Sequence, residues 1–166
     1  MNARLAARLD QAASLAEIFE VVKRAAAQVL KQERAGLMLA LADLGNAPGG
    51  FFGGFHYVGS NYIVMNKLPL LRIRDTRPEL YNAYAFHVLL HEYIHTLGVL
   101  DERRTRELAL RVSQAVFGPE HVATRIAGNI EEFFPNLVFP DVTWRPEALH
   151  LEIDKSFGIG DASYIQ

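Results

Sequence analysis

The chain contains no cysteine. That excludes disulfides and thiolate ligands, so any metal must be held by histidine and carboxylate. Long apolar runs are missing too. The longest, Ala35 to Ala42, is far too short to span a bilayer. Positive charge is not in excess: 17 Lys and Arg stand against 19 Asp and Glu, for a net charge of −2. With a pI near 6.3, the chain carries no electrostatic footprint for nucleic acid or an anionic membrane, and neither partner is expected. At the N-terminus, Arg4, Arg8 and Asp10 interrupt any apolar core of a secretory leader, so the expected location is the cytoplasm.

What is present is the composition of a globular protein. Half of the 166 residues are hydrophobic and 22% are charged, enough to build a sizeable core. No repeat, low-complexity tract or linker divides the chain, and residues 1–166 read as one domain. Nothing in the sequence specifies an oligomeric state.

Ser14-Leu15-Ala16-Glu17 has the form of a capping box. Behind it, Leu15, Ile18, Phe19, Val22, Ala25, Ala26, Val29 and Leu30 recur at helical spacing, predicting an amphipathic helix from about 14 to 32 that covers a core. Residues 34–44 read as a buried strand by length and flanks, with a helix as the alternative that their Leu and Ala content allows. Gly45 to Gly54 holds five of the twelve glycines and reads as a flexible loop, with Phe51 and Phe52 either anchoring it in the core or forming part of a mobile substrate lip. Residues 55–58 and 61–66 read as two strands of a hairpin turning at Gly59-Ser60. Thr76-Arg77-Pro78-Glu79 reads as a second helix start, and Gly98 as the end of that helix. Asp101 is placed to cap a further helix running to about Phe117, with Leu108, Val112, Ala115 and Val116 on its apolar face. Gly118-Pro119 breaks it, and a shorter helix follows from about 120 to 127. Beyond Asn129, Phe133, Phe134, Leu137, Val138 and Phe139 supply apolar surface, while Pro135, Pro140 and Pro146 forbid a long helix.

The second of these helices carries His91-Glu92-Tyr93-Ile94-His95. Positions i and i+4 share a helix face, so His91 and His95 can aim ring nitrogens at one ion. Glu92 lies one residue further round, within reach of a water beside that ion but badly placed to ligate it. His87 extends the stripe, but residues eight apart span about 12 Å of helix, so three histidines cannot converge on one ion. His87 therefore reads as a supporting or satisfied histidine, and His56 and His150 as structural ones. Arg72, Arg74 and Arg77 read as a solvated cluster on a connecting segment, the alternative being that they stabilise an oxyanion or hold a substrate carboxylate.

The pattern continues as His91-Glu92-x-x-His95-x-x-Gly98-x-x-Asp101. In this it resembles the zincin metallopeptidases, in the extended metzincin-like form with aspartate as third ligand. All three methionines, Met1, Met38 and Met65, precede the motif. The methionine turn that metzincins place after it is therefore missing, and the resemblance is to zincins broadly.

The resemblance implies an α+β fold, with a small mixed sheet, an N-terminal backing helix, an active-site helix and a mostly helical C-terminal part. It implies Zn2+ held by His91, His95 and Asp101, with Glu92 as general base in the hydrolysis of a peptide or protein substrate. Glu107, Glu102 and His121 stand as alternative third ligands, because glycine after a helix and aspartate before the next are also ordinary helix punctuation. In zincins the strand before the active-site helix edges the cleft, which would make Asn61 to Asn66 a peptide-binding edge; the alternative is an interior strand paired on both sides. Two other functions remain: a non-catalytic domain that binds metal or a partner, and a metal-dependent endoribonuclease, for which the spacing is similar but the third ligand is a histidine.

Overall fold

The computed structural model describes residues 1–47, 49–140, 144 and 151–153. The fold is mixed α+β, with seven α-helices and two small sheets among the described residues. Helix α1 (Ala3–Gln11) is capped by Asn2, whose side chain accepts from the Leu5 N–H at 3.1 Å, and it buries Leu5 and Leu9. Helix α2 (Leu15–Leu30) begins at the capping box: Ser14 Oγ accepts from the Glu17 N–H at 3.2 Å. The Glu17 carboxylate reaches back to the Ala13 N–H at 2.7 Å, one residue before the cap. Lys31, in the left-handed region at φ 58°, ends the helix at the last residue of its apolar stripe, slightly before the expected boundary.

Strand β1 (Met38–Ala42) runs parallel to β5 (Tyr62–Asn66), with Met38 opposite Tyr62 and Ala42 opposite Asn66. The main sheet is completed by β4 (Gly54–Phe55) against β5 and β7 (Glu152–Ile153) against β1, both antiparallel, giving the order β4-β5-β1-β7. Side chains alternate across it. Leu39, Ile63 and Met65 enter the main core under the helices, while Ala40, Ala42, Phe55 and Val64 form a second cluster that Trp144 covers. Strand β5 lies between β1 and β4, with β4 pairing it at Val64 and Met65, so the stretch considered as a peptide-binding edge contains an interior strand.

The glycine-rich segment differs most from the sequence reading. It contains β2 (Asn46–Ala47) and β3 (Gly50–Phe52), which with β6 (Leu137–Val138) make a second sheet in the order β2-β3-β6. Its glycines permit close backbone approach. A Cβ on Gly50 would collide with the Asn136 carbonyl, and one on Gly54 would lie 2.5 Å from the Val64 carbonyl oxygen.

After β5 the chain enters α3 (Lys67–Thr76), which the sequence reading missed because Pro69 and the arginines masked its short apolar face. Thr76 is therefore the last residue of a helix rather than a cap, and its hydroxyl donates to the Arg72 carbonyl. A 3₁₀ turn (Pro78–Leu80) leads into α4 (Tyr81–Thr96). Every residue of α4 from Ala83 to Thr96 is buried, between α2, α5, α6 and the sheet. Helix α5 (Glu102–Phe117) folds back on α4, burying Thr105, Leu108, Ala109, Val112, Ser113 and Val116; Ala115 points outward. Helices α6 (Val122–Gly128) and α7 (Ile130–Phe133) close the C-terminal side. No helix among the described residues is long and apolar enough to cross a membrane.

His56 is structural, as expected. Its Nδ1–H donates to the Tyr62 carbonyl at 2.8 Å, in the turn between β4 and β5.

Two predictions follow from this packing. Gly54→Ala forces β4 away from β5 and should destabilise by about 1–3 kcal/mol in thermal denaturation. Gly128→Ala, whose Cβ would meet only Leu110 at 3.7 Å, should have little effect. Burial, followed by the charges of Arg34 and His95, outweighs the Tyr62 hydrogen bond and holds His56 below its ordinary value. The unfolded chain therefore binds this proton more readily. The contribution is intact above about pH 6.5 and is lost as pH falls through the lowered value of the folded state. His56→Gln should flatten that part of the stability profile in urea titrations between pH 7 and 5.

Candidate metal centre

The site is built at the turn between α4 and α5. Helix α4 ends where the Leu97 and Gly98 N–H groups bond back to Tyr93, Ile94 and His95, and Gly98 adopts φ 101°, which favours glycine. Arg34 fixes the end of the helix from outside: its guanidinium donates to the Thr96 carbonyl at 3.1 Å and the Ser60 carbonyl at 3.2 Å. Its backbone N–H donates to the buried Tyr93 hydroxyl at 2.9 Å. After the turn, Asp101 caps α5, its Oδ1 accepting from the Arg104 N–H at 2.7 Å.

That cap decides which carboxylate meets the histidines. The Asp101 carboxylate is exposed and turned onto its own helix, whereas Glu102 points back over α4. His91 Nε2 lies 3.0 Å from Glu102 Oε2, and His95 Nε2 lies 2.9 Å from Glu102 Oε1. The carboxylate that spans both histidines is thus Glu102, and the expectation for Asp101 gives way to the stronger pull of the helix N-terminus. Glu107 is on the outer face of α5, beside Arg103 and Arg104. His121 is committed elsewhere: its Nδ1 accepts from the Ala123 N–H, and its Nε2–H donates to Asp10 at 2.9 Å. His150 lies outside the described residues.

His91, Glu92 and His95 form a buried group able to hold a metal ion, with one ligand atom from each lying within 4.8 Å of the others. Two observations support that fit. His95 Nδ1–H donates to the Val99 carbonyl at 2.7 Å. In a neutral ring this leaves a lone pair on Nε2, facing a carboxylate oxygen 2.9 Å away. Two acceptors at that separation need a cation between them, either a proton or a metal. The second observation is an orphan: Glu92 is 2% exposed and its Oε2 has no partner among the described residues. Ligand atoms about 2.0–2.1 Å from one tetrahedral centre lie about 3.3 Å apart. The two histidine–Glu102 separations are a few tenths shorter than that.

The electrostatics separate the two carboxylates, one answered by the histidines and one held by burial. Burial pushes the Glu92 carboxyl up to about 8, against the nearby His95. Burial also disfavours ionised Glu102, but its bonds to His91 and His95 prevail and draw it down to about 2. His91 is held down by burial despite Glu102. At His95 burial is overcome by Glu102, Glu92 and the Val99 carbonyl, and the ring is raised. A bound cation would favour the ionised form of both carboxylates.

Residues that the motif did not identify cover the centre. Phe139 stacks on the His91 ring, with centroids 3.9 Å apart and planes 14° apart, and the Arg106 guanidinium sits 5.5 Å from the Phe139 ring. The sequence marked Phe139 only as apolar, because its contact depends on β6 pairing with β3. His87 packs edge-on to Phe139, with its Nδ1 unpartnered among the described residues; burial holds it down to about 3. It stands one turn before His91 and does not join the convergence on Glu102. Side-chain exposure is 0% at His91 and 2% at His95 but 36% at Glu102, so the centre meets solvent past Glu102.

In a zinc titration against a competing chelator, Glu102→Gln should weaken binding by more than about 100-fold, beyond the usual cost of losing an outer-sphere partner. Asp101→Asn keeps the helix cap and should leave affinity within about twofold.

Comparison with protein-family models, with curated proteins and with solved structures returns no match.

Proposed function

We propose that this protein is a zinc-dependent metallopeptidase, with His91, His95 and Glu102 as metal ligands and Glu92 as general base. One observation carries the reading. The Nε2 atoms of His91 and His95 converge on the two oxygens of Glu102, and the neighbouring buried Glu92 keeps Oε2 unpartnered among the described residues. Imidazole and carboxylate donors without thiolates suit zinc among the common divalent ions, and a three-residue ligand set leaves room for substrate. Bound there, zinc would supply a Lewis acid that acidifies water and polarises a carbonyl.

The chain's own groups divide the remaining work. Val99 fixes the His95 ring through Nδ1, leaving Nε2 to face the centre. Glu102 balances charge and ties α5 to α4. Glu92 Oε2 accepts a proton from the attacking water and returns it to the leaving amine nitrogen, so the carboxylate is unchanged over the cycle. Phe139 and Arg106 exclude water from the His91 side.

The covered His91 face favours a second reading, in which the centre only binds metal and stabilises the α4–α5 hairpin. An endoribonuclease with a third histidine ligand draws no such support, since His121 is held by Asp10.

Glu92→Gln separates the first two readings. Zinc-loaded wild-type protein should cleave an unfolded protein substrate at neutral pH. The variant should keep one zinc per chain and lose at least about 100-fold in rate, the usual scale of a lost general base. Equal cleavage by both proteins would sink the assignment of Glu92. Stoichiometric zinc with no cleavage by either would leave the metal-stabilised domain.

A further inference from the structure

About 15 Å along α4 from His91, beyond its N-terminal end, lies a cavity that the metal centre does not use. Its volume is about 260 Å³. One wall is a single face of α3, where Leu68, Arg72 and Thr76 succeed one another at i, i+4 and i+8, with Ile73 beside them. Phe51 of β3 and Leu80 of the 3₁₀ turn enclose the apolar interior, and Phe133 and Phe134 supply two further aromatic side chains. That is far more than the space one water needs, and it suits a small organic group.

The polar groups on the lining are uneven in sign. Among the described residues no acidic side chain lines the cavity, and two arginines do. The Arg72 guanidinium has no hydrogen-bond or ion-pair partner among the described residues. Arg77 uses Nε on Glu79, at 2.8 Å, and Glu79 is outside the cavity lining. Asn66 is already committed: its Nδ2 donates to the Phe52 carbonyl at 2.8 Å and its Oδ1 accepts from the Leu44 N–H at 3.1 Å. A ligand is therefore met by apolar walls and guanidinium groups. Arginine pairs with carboxylate through two parallel N–H···O bonds, and one free guanidinium suits a single negative charge better than a phosphate dianion.

We propose that this cavity binds a small apolar carboxylate. Its hydrocarbon or aromatic body fills the space between α3, Phe51 and the Phe133–Phe134 pair, and Arg72 and Arg77 hold its carboxylate at the rim. The chemistry is shared by a free medium-chain or aromatic acid and by the C-terminal carboxylate of a peptide ending in an apolar residue. The proposal is independent of the metal centre.

Isothermal titration with octanoate tests it, with 1-octanol as the uncharged control and the peptide Gly-Gly-Phe as free acid and as amide. Octanoate should bind one per chain, with 1-octanol at least tenfold weaker. Arg72→Gln, an exposed position where folding is readily checked by circular dichroism, should weaken octanoate at least tenfold, and Arg77→Gln should weaken it in the same direction. Tighter binding of Gly-Gly-Phe acid than of octanoate, lost in the amide, would identify a polypeptide C-terminus as the source. The reverse order would identify a free acid. Equal affinity for octanoate and octanol, unchanged affinity in Arg72→Gln, or no binding of either acid at millimolar concentration would overturn the proposal.

Discussion

Helix α4 is enclosed by α2, α5, α6 and the sheet, and this enclosure constrains everything at its C-terminal end. A helix buried on all faces has no solvent side for its ionisable residues, yet α4 carries His87, His91, Glu92 and His95. Ionising such groups in isolation would be costly, and burial alone would keep them neutral. His91 and His95 are answered by a carboxylate from the next helix, while His87 and Glu92 each keep a buried atom unpartnered among the described residues. The hydrogen bonding and charge at the α4–α5 turn all derive from that need.

The turn itself is a sequence of constraints. Gly98 takes a conformation that costs other residues energy, which lets α5 begin within a few residues of the end of α4. Arg34 holds the terminal carbonyl of α4 and the loop before β5 together. Asp101 then spends its carboxylate on the α5 N-terminus, and this makes Glu102 the residue free to reach back. Phe139 arrives from the far side of the chain only because β6 pairs with β3, so the second sheet places an aromatic ring on His91.

Much of this was legible in the sequence where the controlling interactions are local. The cap of α2, the α4–α5 hairpin, the Gly98 stop and the Asp101 cap each depend on residues within a few positions of one another. The pair His91 and His95 belongs with them, since helix geometry alone puts them on one face. Where the reading failed, the deciding partner was distant. The glycines at 50 and 54 looked flexible, but they are narrow because Asn136 and Val64 approach them. Strand β5 looked as able to be an edge as an interior strand, and β4 on one side and β1 on the other decided it. Helix α3 was hidden because its apolar face is short and partly open to a cavity.

The sequence by itself determined that two histidines and a glutamate would share the end of one helix, and that no thiolate could join them. Periodicity and capping are properties of a few adjacent residues, and they carry that result without reference to the rest of the chain. Only the tertiary structure decided which carboxylate completes the group. Asp101 and Glu102 are neighbours in sequence, and choosing between them depends on how α5 packs against α4. The helix N-terminus claims one, and the other is left facing His91 and His95.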